Sequence, residues 1–162
     1  MGKSTLVTAL ANHCQIISYD LDTLIADSTK QTISELIRYR GIRKFRMIES
    51  NLLRSISAPP LLSTGAGVIE IKSNRWYLRV QGVCIYMAIP LQKQIARLRY
   101  SKGISKRPLI SRNLVLSLRL MQLRRRSIYQ HCATITFWSR KEPVISSITR
   151  LISMLSARGV TI

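Results

Sequence analysis

A run of four residues near the start of the chain, Gly2-Lys3-Ser4-Thr5, has the residue types and the order that bind phosphate. The run leads into a helix-compatible stretch at residues 6–11, so backbone N–H groups at a helix start would face phosphate oxygens. In that arrangement the lysine reaches the β- and γ-phosphates of a nucleotide, and the serine hydroxyl helps to hold Mg²⁺. The complete motif, G-x-x-x-x-G-K-S/T, needs an earlier glycine, so this run alone is weak evidence.

Two carboxylates, Asp20 and Asp22, follow an apolar run at residues 15–19 that is typical of a short buried strand. A second apolar run, residues 61–63, leads directly into the turn Thr64-Gly65-Ala66-Gly67. Ligands of open α/β sheets bind at the carboxyl ends of the strands, and a glycine-rich turn lets the backbone approach a ligand closely. The aspartates and the turn are therefore candidate binding groups. Alternatively, the aspartates only close a turn or cap a helix.

The spacing of apolar residues indicates the elements that would position these groups. It predicts strands at residues 15–19, 61–63, 83–87 and 133–138, and helices at about 4–11, 32–40, 44–56, 73–78, 90–100, 113–130 and 144–155. Strands and helices alternate throughout, so we predict an α/β fold with a parallel sheet and helices on both faces, in one domain over residues 1–162. The polar, basic segment at about 101–113 is predicted to be a mobile lid.

The composition excludes several classes of protein. The chain has 162 residues and is 46% hydrophobic, and no apolar run approaches the roughly 18 residues of a membrane span. The start of the chain lacks the pattern of a secretory signal, so we expect a cytoplasmic protein without a membrane partner. Cys14, Cys84 and Cys132 are odd in number and widely spaced, which favours reduced core thiols over disulfides or a metal-thiolate site.

The charge of the chain is strongly positive, with 26 lysines and arginines against 7 acids and a net charge of +19. Such an excess attracts polyanions by counterion release, so nonspecific binding to nucleic acid is one hypothesis. The basic residues are scattered, however, and the densest run is only Arg124-Arg125-Arg126. We therefore favour basic residues on solvated faces over a dedicated nucleic-acid site.

Taken together, the motifs resemble those of shikimate kinases, small phosphate-loop kinases of aromatic amino-acid biosynthesis. Six pieces occur in family order and at near-family spacing: Gly2-Lys3-Ser4-Thr5, Asp20-Leu21-Asp22, Phe45-Arg46 with Glu49, Leu62-Ser63-Thr64-Gly65-Ala66-Gly67, Arg107-Pro108-Leu109, and Arg125 before Ile128-Tyr129. Each piece is weak alone, whereas six in order argue against chance. The resemblance implies a three-layer α/β/α P-loop kinase fold and the ATP-dependent phosphorylation of shikimate to shikimate 3-phosphate, in chorismate biosynthesis.

For the nucleotide, the resemblance implies that Gly2, Lys3, Ser4 and Thr5 hold the phosphates of ATP. Lys3 would neutralise phosphate charge, and Ser4 would coordinate Mg²⁺. Asp20 would support the metal ion through water.

Three further arginines acquire roles from the resemblance. Arg107 would swing in from the lid and meet the transferring phosphoryl group, which makes it a candidate catalytic residue with Lys3 and Asp22. Arg97 and Arg140 match positions near the adenine and are weaker assignments.

For the substrate, the resemblance implies a second set of residues, namely Asp22, Arg46, Gly65, Ala66, Gly67 and Arg125. Asp22 would hydrogen-bond the shikimate hydroxyls and orient, or deprotonate, the attacking 3-hydroxyl. Arg46 and Arg125 would clamp the substrate carboxylate, a task that suits the planar guanidinium fork. Glu49 would orient Arg46, although Arg46 and Glu49 could also form an ordinary surface pair three residues apart.

The sequence departs from the family pattern at several points. The first strand and the leading half of the phosphate loop are missing from the printed sequence. Because that strand is central to the fold, we expect a start codon placed too far downstream or an upstream non-standard start. Ala66 replaces the middle glycine of the substrate turn, which is tolerable unless that residue needs a positive φ. Lys30 stands where a glycine is usual, and Gly41-Ile42 replaces the family's Gly-Glu.

Two alternatives to the shikimate kinase hypothesis remain at this point. The chain could be another small-molecule kinase of the phosphate-loop group, such as a gluconate kinase. It could also be a degraded, catalytically weak or inactive relative with a basic, RNA-associating surface. Under the leading hypothesis we expect a monomer whose partners are shikimate and ATP.

Overall fold

The architecture was analysed in a computed structural model, which describes residues 2–57, 59–100 and 114–160, without the side chains of 97–100 and 114. Helices and strands alternate in the order α1 (Lys3–Cys14), β1 (Ser18–Asp20), α2 (Leu21–Thr29), α3 (Ile33–Ser55), β2 (Leu61–Ser63), a 3₁₀ helix (Val68–Glu70), α4 (Lys72–Gln81), β3 (Ile85–Ala88), α5 (Leu91–Tyr100), α6 (Leu114–Cys132), β4 (Ile135–Trp138) and α7 (Val144–Ser156).

All strand pairs in the described ranges are parallel, as predicted. β1 pairs with β2 in the register Ser18 to Leu61, and β3 pairs with β4 in the register Ile85 to Ile135. The expected single sheet, however, is two separate two-stranded sheets. The two pairs are instead held together by helices.

Helix α1 joins the two sheets through one apolar cluster. Leu6 and Leu10 of α1 are almost fully buried against Ile135 and Phe137 of β4. The other buried members, Ile148, Leu151 and Leu155, come from α7. Partly buried side chains from β2, from β3 and from the segment that leads into β3 pack on the same cluster: Leu61, Val83, Ile85 and Met87. Because one cluster contacts strands of both pairs, α1 and the phosphate-binding run at its start are fixed relative to both sheets.

A second apolar cluster covers the opposite face of the strands. It consists of residues from α2, α3, the 3₁₀ helix and α6: Leu21, Ile25, Leu36, Phe45, Leu53, Val68, Ile69 and Cys132. Leu62 packs on this cluster, whereas its neighbour Leu61 packs on the first. Successive side chains of a strand point to opposite faces, so helices lie on both faces and the arrangement has three layers.

One helical region differs from the sequence-based expectation, and a second agrees with it. Helix α2 was not predicted, and it begins immediately at the end of β1. The predicted break at Gly41 is confirmed, because this glycine is non-helical, with φ 77° and ψ 161°, and the α3 range therefore consists of two helical segments that meet at a kink. The predicted start of α3 at Thr32 is confirmed, because Thr32 and Glu35 form a complete capping box.

Helix α2 ends on a residue in the left-handed conformation. Lys30 has φ 54° and ψ 28° at the C-cap. A side chain in this region costs about 1 kcal/mol, and glycine avoids that cost. Lys30, which we expect to replace a family glycine, is therefore in a strained conformation.

The remaining expectations concern membranes and cysteines. Among the described residues, no helix has both the length and the apolar character needed to cross a bilayer. The three cysteines are free thiols, and only Cys132 is fully buried. Burial and the neighbouring Cys132 raise the pKa of Cys84 to about 12. The same ranges contain no cluster of three or more potential metal-ligating histidine, cysteine or acidic side chains.

Candidate active site

The ammonium group of Lys3 lies at the carboxyl ends of β1 and β2. Its Nζ donates to Ser63 Oγ at 2.6 Å and to the Thr64 carbonyl at 2.8 Å, and it lies 3.6 Å from Asp20 Oδ2. Ser63 Oγ in turn donates to Asp20 Oδ2 at 2.8 Å. The structure thus brings Lys3 and Asp20, 17 positions apart in the printed numbering, into one polar cluster at the strand ends.

Asp20 is held as an ionised carboxylate. It is the N-cap of α2 and accepts hydrogen bonds from the backbone N–H groups of Asp22 at 3.0 Å and Thr23 at 3.4 Å. Burial raises the pKa of Asp20, but the Ser63 hydroxyl, the charge of Lys3 and these N–H groups outweigh it and leave the pKa below its usual value. The helix-cap interpretation of Asp20 is therefore correct, and it leaves the carboxylate charged beside Lys3.

The first turn of α1 presents uncapped backbone donors. Gly2 is the N-cap, in an extended conformation, and no side-chain oxygen caps the helix. The side chains of Ser4 and Thr5 are exposed at this end, while Lys3 is half-buried. Since the first N–H groups of a helix have no partners within it, this end is suited to bind anions.

Asp22 and Glu49 flank the turn that follows β2. A Cβ atom built on Gly65 would lie 3.0 Å from Asp22 Oδ1 and 3.3 Å from Glu49 Oε1. The absence of a side chain at Gly65 therefore lets the backbone lie against both carboxylates. Asp22 is in the first turn of α2, so the cap at Asp20 also fixes the position of Asp22.

Arg46 is oriented by a fully buried partner. Its Nη1 donates to Glu49 Oε2 at 2.7 Å, and the Glu49 side chain is 0% exposed. Burial raises the pKa of Glu49 above its usual value, although the charge of Arg46 opposes the shift. A buried pair of this kind is not an ordinary surface pair. The other side of the guanidinium lies against Gly67, where any Cβ would overlap it.

Arg125 meets Arg46 at a shared carboxylate. Nε and Nη2 of Arg125 donate to Oε1 of Glu70 at 3.0 and 2.6 Å, and Oε2 of Glu70 lies 3.5 Å from Nη2 of Arg46. Arg124 and Arg126 are exposed, so Arg125 is the member of the triplet that faces the site. The two arginines that the sequence placed in one clamp are thus close enough to bind one carboxylate.

Tyr129 anchors the glycine-containing turn from α6. Its hydroxyl donates to the carbonyl of Ala66, and its ring stacks on Tyr86 with centroids 4.5 Å apart. Burial raises the pKa of Tyr129 to about 12, so the hydroxyl remains a donor. The described non-glycine residues with positive φ are Gln15 and Lys30, so Ala66 does not need glycine's conformational freedom.

Three predicted site residues are not joined to this cluster by the structure. Arg140 is exposed in the turn after β4. Arg107 and the lid segment at 101–113 lie outside the described residues, and so does the side chain of Arg97. Their assignments remain predictions.

Three polar residues of the cluster were not assigned by the sequence. Ser63 links Lys3 to Asp20, Tyr129 holds the turn, and Glu70 bridges the two arginines. Glu70 was open to detection, because only seven acids occur in the chain and it lies three residues after Gly67. Its pairing with Arg125 spans 55 positions and has no local signature.

Two open surface cavities lie elsewhere. One, of about 560 Å³, is lined by Ile71, Lys72, Ser73 and Trp76, and the other, of about 350 Å³, by residues around Tyr19 and Pro60. Both are lined largely by apolar surface, whereas the charged cluster described above can bind anionic and hydroxylated ligands.

Comparison with known proteins identifies the family. The family model described as "Shikimate kinase" matches residues 1–156. Shikimate kinase 2 of Enterobacter sp. (strain 638) is 32% identical over 111 residues, which cover 68% of this chain and 64% of that protein. Shikimate kinase 2 of Escherichia fergusonii is 28% identical over 163 residues, covering 98% of this chain and 90% of that protein.

Solved structures agree with this assignment at the level of the fold. Shikimate kinase from Acinetobacter baumannii in complex with shikimate matches with a TM-score of 0.89 at 24% identity, covering 99% of this chain and 89% of that one. Shikimate kinase from Bacteroides thetaiotaomicron matches with a TM-score of 0.85 at 25% identity, covering 96% and 92%. The predicted three-layer P-loop kinase fold is confirmed, and the chain belongs to the shikimate kinase family.

Proposed function

We propose that this protein catalyses the ATP-dependent phosphorylation of shikimate to shikimate 3-phosphate. The observation that carries the proposal is the convergence of Arg46 and Arg125 on one carboxylate position, beside Asp22 and the turn after β2. A hydroxylated ring with one carboxylate needs such a set: cations for the carboxylate and an acceptor for a hydroxyl. Family membership supplies the reaction.

The residues at the start of α1 fit ATP and Mg²⁺. The helix has uncapped N–H groups, and exposed Ser4 and Thr5 hydroxyls stand beside them. Ser4 would hold Mg²⁺, and the ionised Asp20 would support it through water. Mg²⁺ usually keeps several waters and binds through one or two protein ligands plus substrate phosphates, so Ser4 and Asp20 suffice as its protein partners. When bound, the nucleotide supplies the phosphoryl group and the metal ion neutralises its charge.

Lys3 is proposed to serve the phosphates while remaining tied to the strand ends. Its contacts with Ser63, Thr64 and Asp20 place a positive charge next to the turn that lines the substrate half of the site. Because Thr64 and Gly65 are consecutive, the lysine and Asp22 lie against adjacent residues of one short backbone segment. This proximity supports the alignment on which phosphoryl transfer depends.

The substrate half would bind and orient shikimate. Arg46 and Arg125 would hold the carboxylate, and Gly65, Ala66 and Gly67 would offer backbone to the ring. Asp22 would then accept a hydrogen bond from the 3-hydroxyl and remove its proton as the hydroxyl attacks. Glu49 keeps Arg46 in place, and Tyr129 keeps the turn in place.

The family resemblance adds three residues to the proposed nucleotide site, namely Arg107, Arg97 and Arg140. Arg107 would approach the transferring phosphoryl group from the segment at 101–113, and Arg97 and Arg140 would lie near the adenine. From the family resemblance we further propose that the protein acts as a monomer in the cytoplasm. The +19 charge would give salt-sensitive, nonspecific binding to polyanions.

A substrate panel tests the proposal. ADP release is measured with Mg²⁺ and ATP in the presence of shikimate, gluconate or neither. ADP release that occurs with shikimate, but not with gluconate or without an acceptor, supports the assignment. Release with gluconate but not shikimate would assign the same fold to a different acceptor, and salt-sensitive RNA binding without ATP affinity would favour the inactive relative.

A further inference from the structure

Glu70 places a carboxylate between the two arginines of the proposed clamp. Its Oε1 accepts from Nε and Nη2 of Arg125 at 3.0 and 2.6 Å, and its Oε2 lies 3.5 Å from Nη2 of Arg46. Charge-assisted hydrogen bonds of this kind are also the ones by which a guanidinium group binds the carboxylate of a ligand. Glu70 therefore occupies, from within the chain, the position proposed for the carboxylate of the substrate.

The backbone of Glu70 is held by the same turn that lines the site. Glu70 ends the 3₁₀ helix that follows Gly67, and its N–H donates to the Gly67 carbonyl at 3.0 Å. The two preceding residues, Val68 and Ile69, are buried in the apolar core. The Glu70 side chain itself is 30% exposed, against 13% and 15% for Arg125 and Arg46. The carboxylate thus stands on a fixed base and can move toward solvent.

The two positive charges of the cluster are already balanced by two carboxylates. Arg46 and Arg125 carry two positive charges, and Glu49 and Glu70 oppose them. Glu49 is fully buried and is held on Nη1 of Arg46, away from the shared position. A substrate carboxylate entering between the arginines would lie against Glu70, and two carboxylates at such short range repel each other. Glu70 is the group that can leave.

We propose that Glu70 is an internal competitor for the substrate carboxylate. It pairs with Arg125 and Arg46 in the empty site, keeps both guanidinium groups in place, and is displaced when the substrate binds. The identity of the competing ligand rests on the proposed function. Glu70 is therefore a specificity-determining residue, because a carboxylate ligand must displace it in order to bind and loses affinity by doing so.

The test is calorimetric titration of the full chain with shikimate, without nucleotide, for the wild type and for Glu70→Gln. Glutamine keeps the size of the side chain but loses its charge, so the dissociation constant is expected to fall by about fivefold. KM for shikimate should fall by the same factor, and KM for ATP should not change. Glu35→Gln is the matched control, because it makes the same change in the capping box of α3, where glutamine is accepted.

Each other outcome has a defined meaning. Unchanged affinity, or weaker affinity in Glu70→Gln, would overturn the proposal, the latter by making Glu70 a group that positions the arginines. Glu70→Asp, which withdraws the carboxylate by one methylene group, should also bind shikimate more tightly and serves if Glu70→Gln does not fold. Tighter binding without any ADP release would refute the proposed function alone, whereas no binding by any variant would overturn both.

Discussion

Gly67 lies directly against the guanidinium group of Arg46, so closely that a Cβ atom at this position would overlap Nη2, Cζ and Nη1. The glycine is therefore required by a contact with a side chain rather than by its backbone angles. Since Glu49 fixes the opposite side of the same group, Arg46 is held from two directions. The turn after β2 therefore packs directly against the Arg46 side chain of helix α3.

Gly67→Ala should disturb the proposed clamp without unfolding the protein. The added methyl group must displace the Arg46 guanidinium, and the loss of one charge-assisted hydrogen bond to substrate raises KM for shikimate by about tenfold. Steady-state kinetics at saturating ATP measure this change. Gly82→Ala is the control, because a Cβ there meets open space. An unchanged KM in Gly67→Ala would show that Arg46 does not bind the substrate.

Lys30→Gly should stabilise the protein. Lys30 is in the left-handed conformation at the end of α2, and relief of that strain is expected to contribute about 1 kcal/mol, or roughly 2 to 4 °C in Tm. Lys30→Ala removes the charge but keeps the Cβ atom, so it should give no comparable gain. Equal melting temperatures for the glycine and alanine variants would contradict this explanation.

The stability of the folded protein should depend on the ionisation of Glu49 at pH values above the usual pKa of a glutamate. Burial raises the pKa of Glu49 above the reference value of 4.5, so the folded state binds a proton more tightly than the unfolded state does. The contribution of Glu49 is therefore most favourable below pH 4.5 and falls as the pH rises toward its folded pKa. Tm of the wild type minus Tm of Glu49→Gln, measured between about pH 4 and pH 7, should decrease. A difference that rises with pH would indicate a lowered pKa.

Tyr129→Phe should loosen the turn at Gly65 to Gly67 while leaving the ring stack on Tyr86 intact. Loss of the hydrogen bond to the Ala66 carbonyl costs about 1 kcal/mol and should raise KM for shikimate severalfold. Tyr77→Phe is the matched control, because its hydroxyl donates to the Ile56 carbonyl at 2.9 Å, outside the site. Both variants should lose Tm, and only Tyr129→Phe should change KM. A KM change in both would indicate a general effect on packing.

Much of the fold follows from local patterns in the sequence. The strand at residues 61–63 and the start of α3 at Thr32 agree with the prediction, because a buried apolar run and a capping box are both local signals. Helix α2 was missed because Thr23, Thr29, Ser28 and two aspartates are poor helix formers. What stabilises that helix is the burial of Leu21 and Ile25 against α3, which periodicity over nine residues does not reveal.

The candidate site was predictable in its residue types but not in its internal pairing. The order of the motifs located Lys3, Asp22, Arg46 and Arg125, and the structure brings their elements together. The bridge through Glu70 depends on two contacts that span 24 and 55 positions. The packing of both α3 and α6 on the 3₁₀ helix brings these groups together, so no spacing rule could have predicted the bridge.

Turnover of the Asp22→Asn variant tests whether this protein phosphorylates shikimate with Asp22 as the group that accepts the proton of the hydroxyl. ADP release is measured with shikimate, Mg²⁺ and ATP for the wild type, for Asp22→Asn and for Asp27→Asn, an exposed position on the same helix. We expect shikimate-dependent release by the wild type and by Asp27→Asn, and a loss of about 10²- to 10⁴-fold in Asp22→Asn with Tm retained. Shikimate-dependent turnover at the wild-type rate in Asp22→Asn, or none in the wild type, would contradict it.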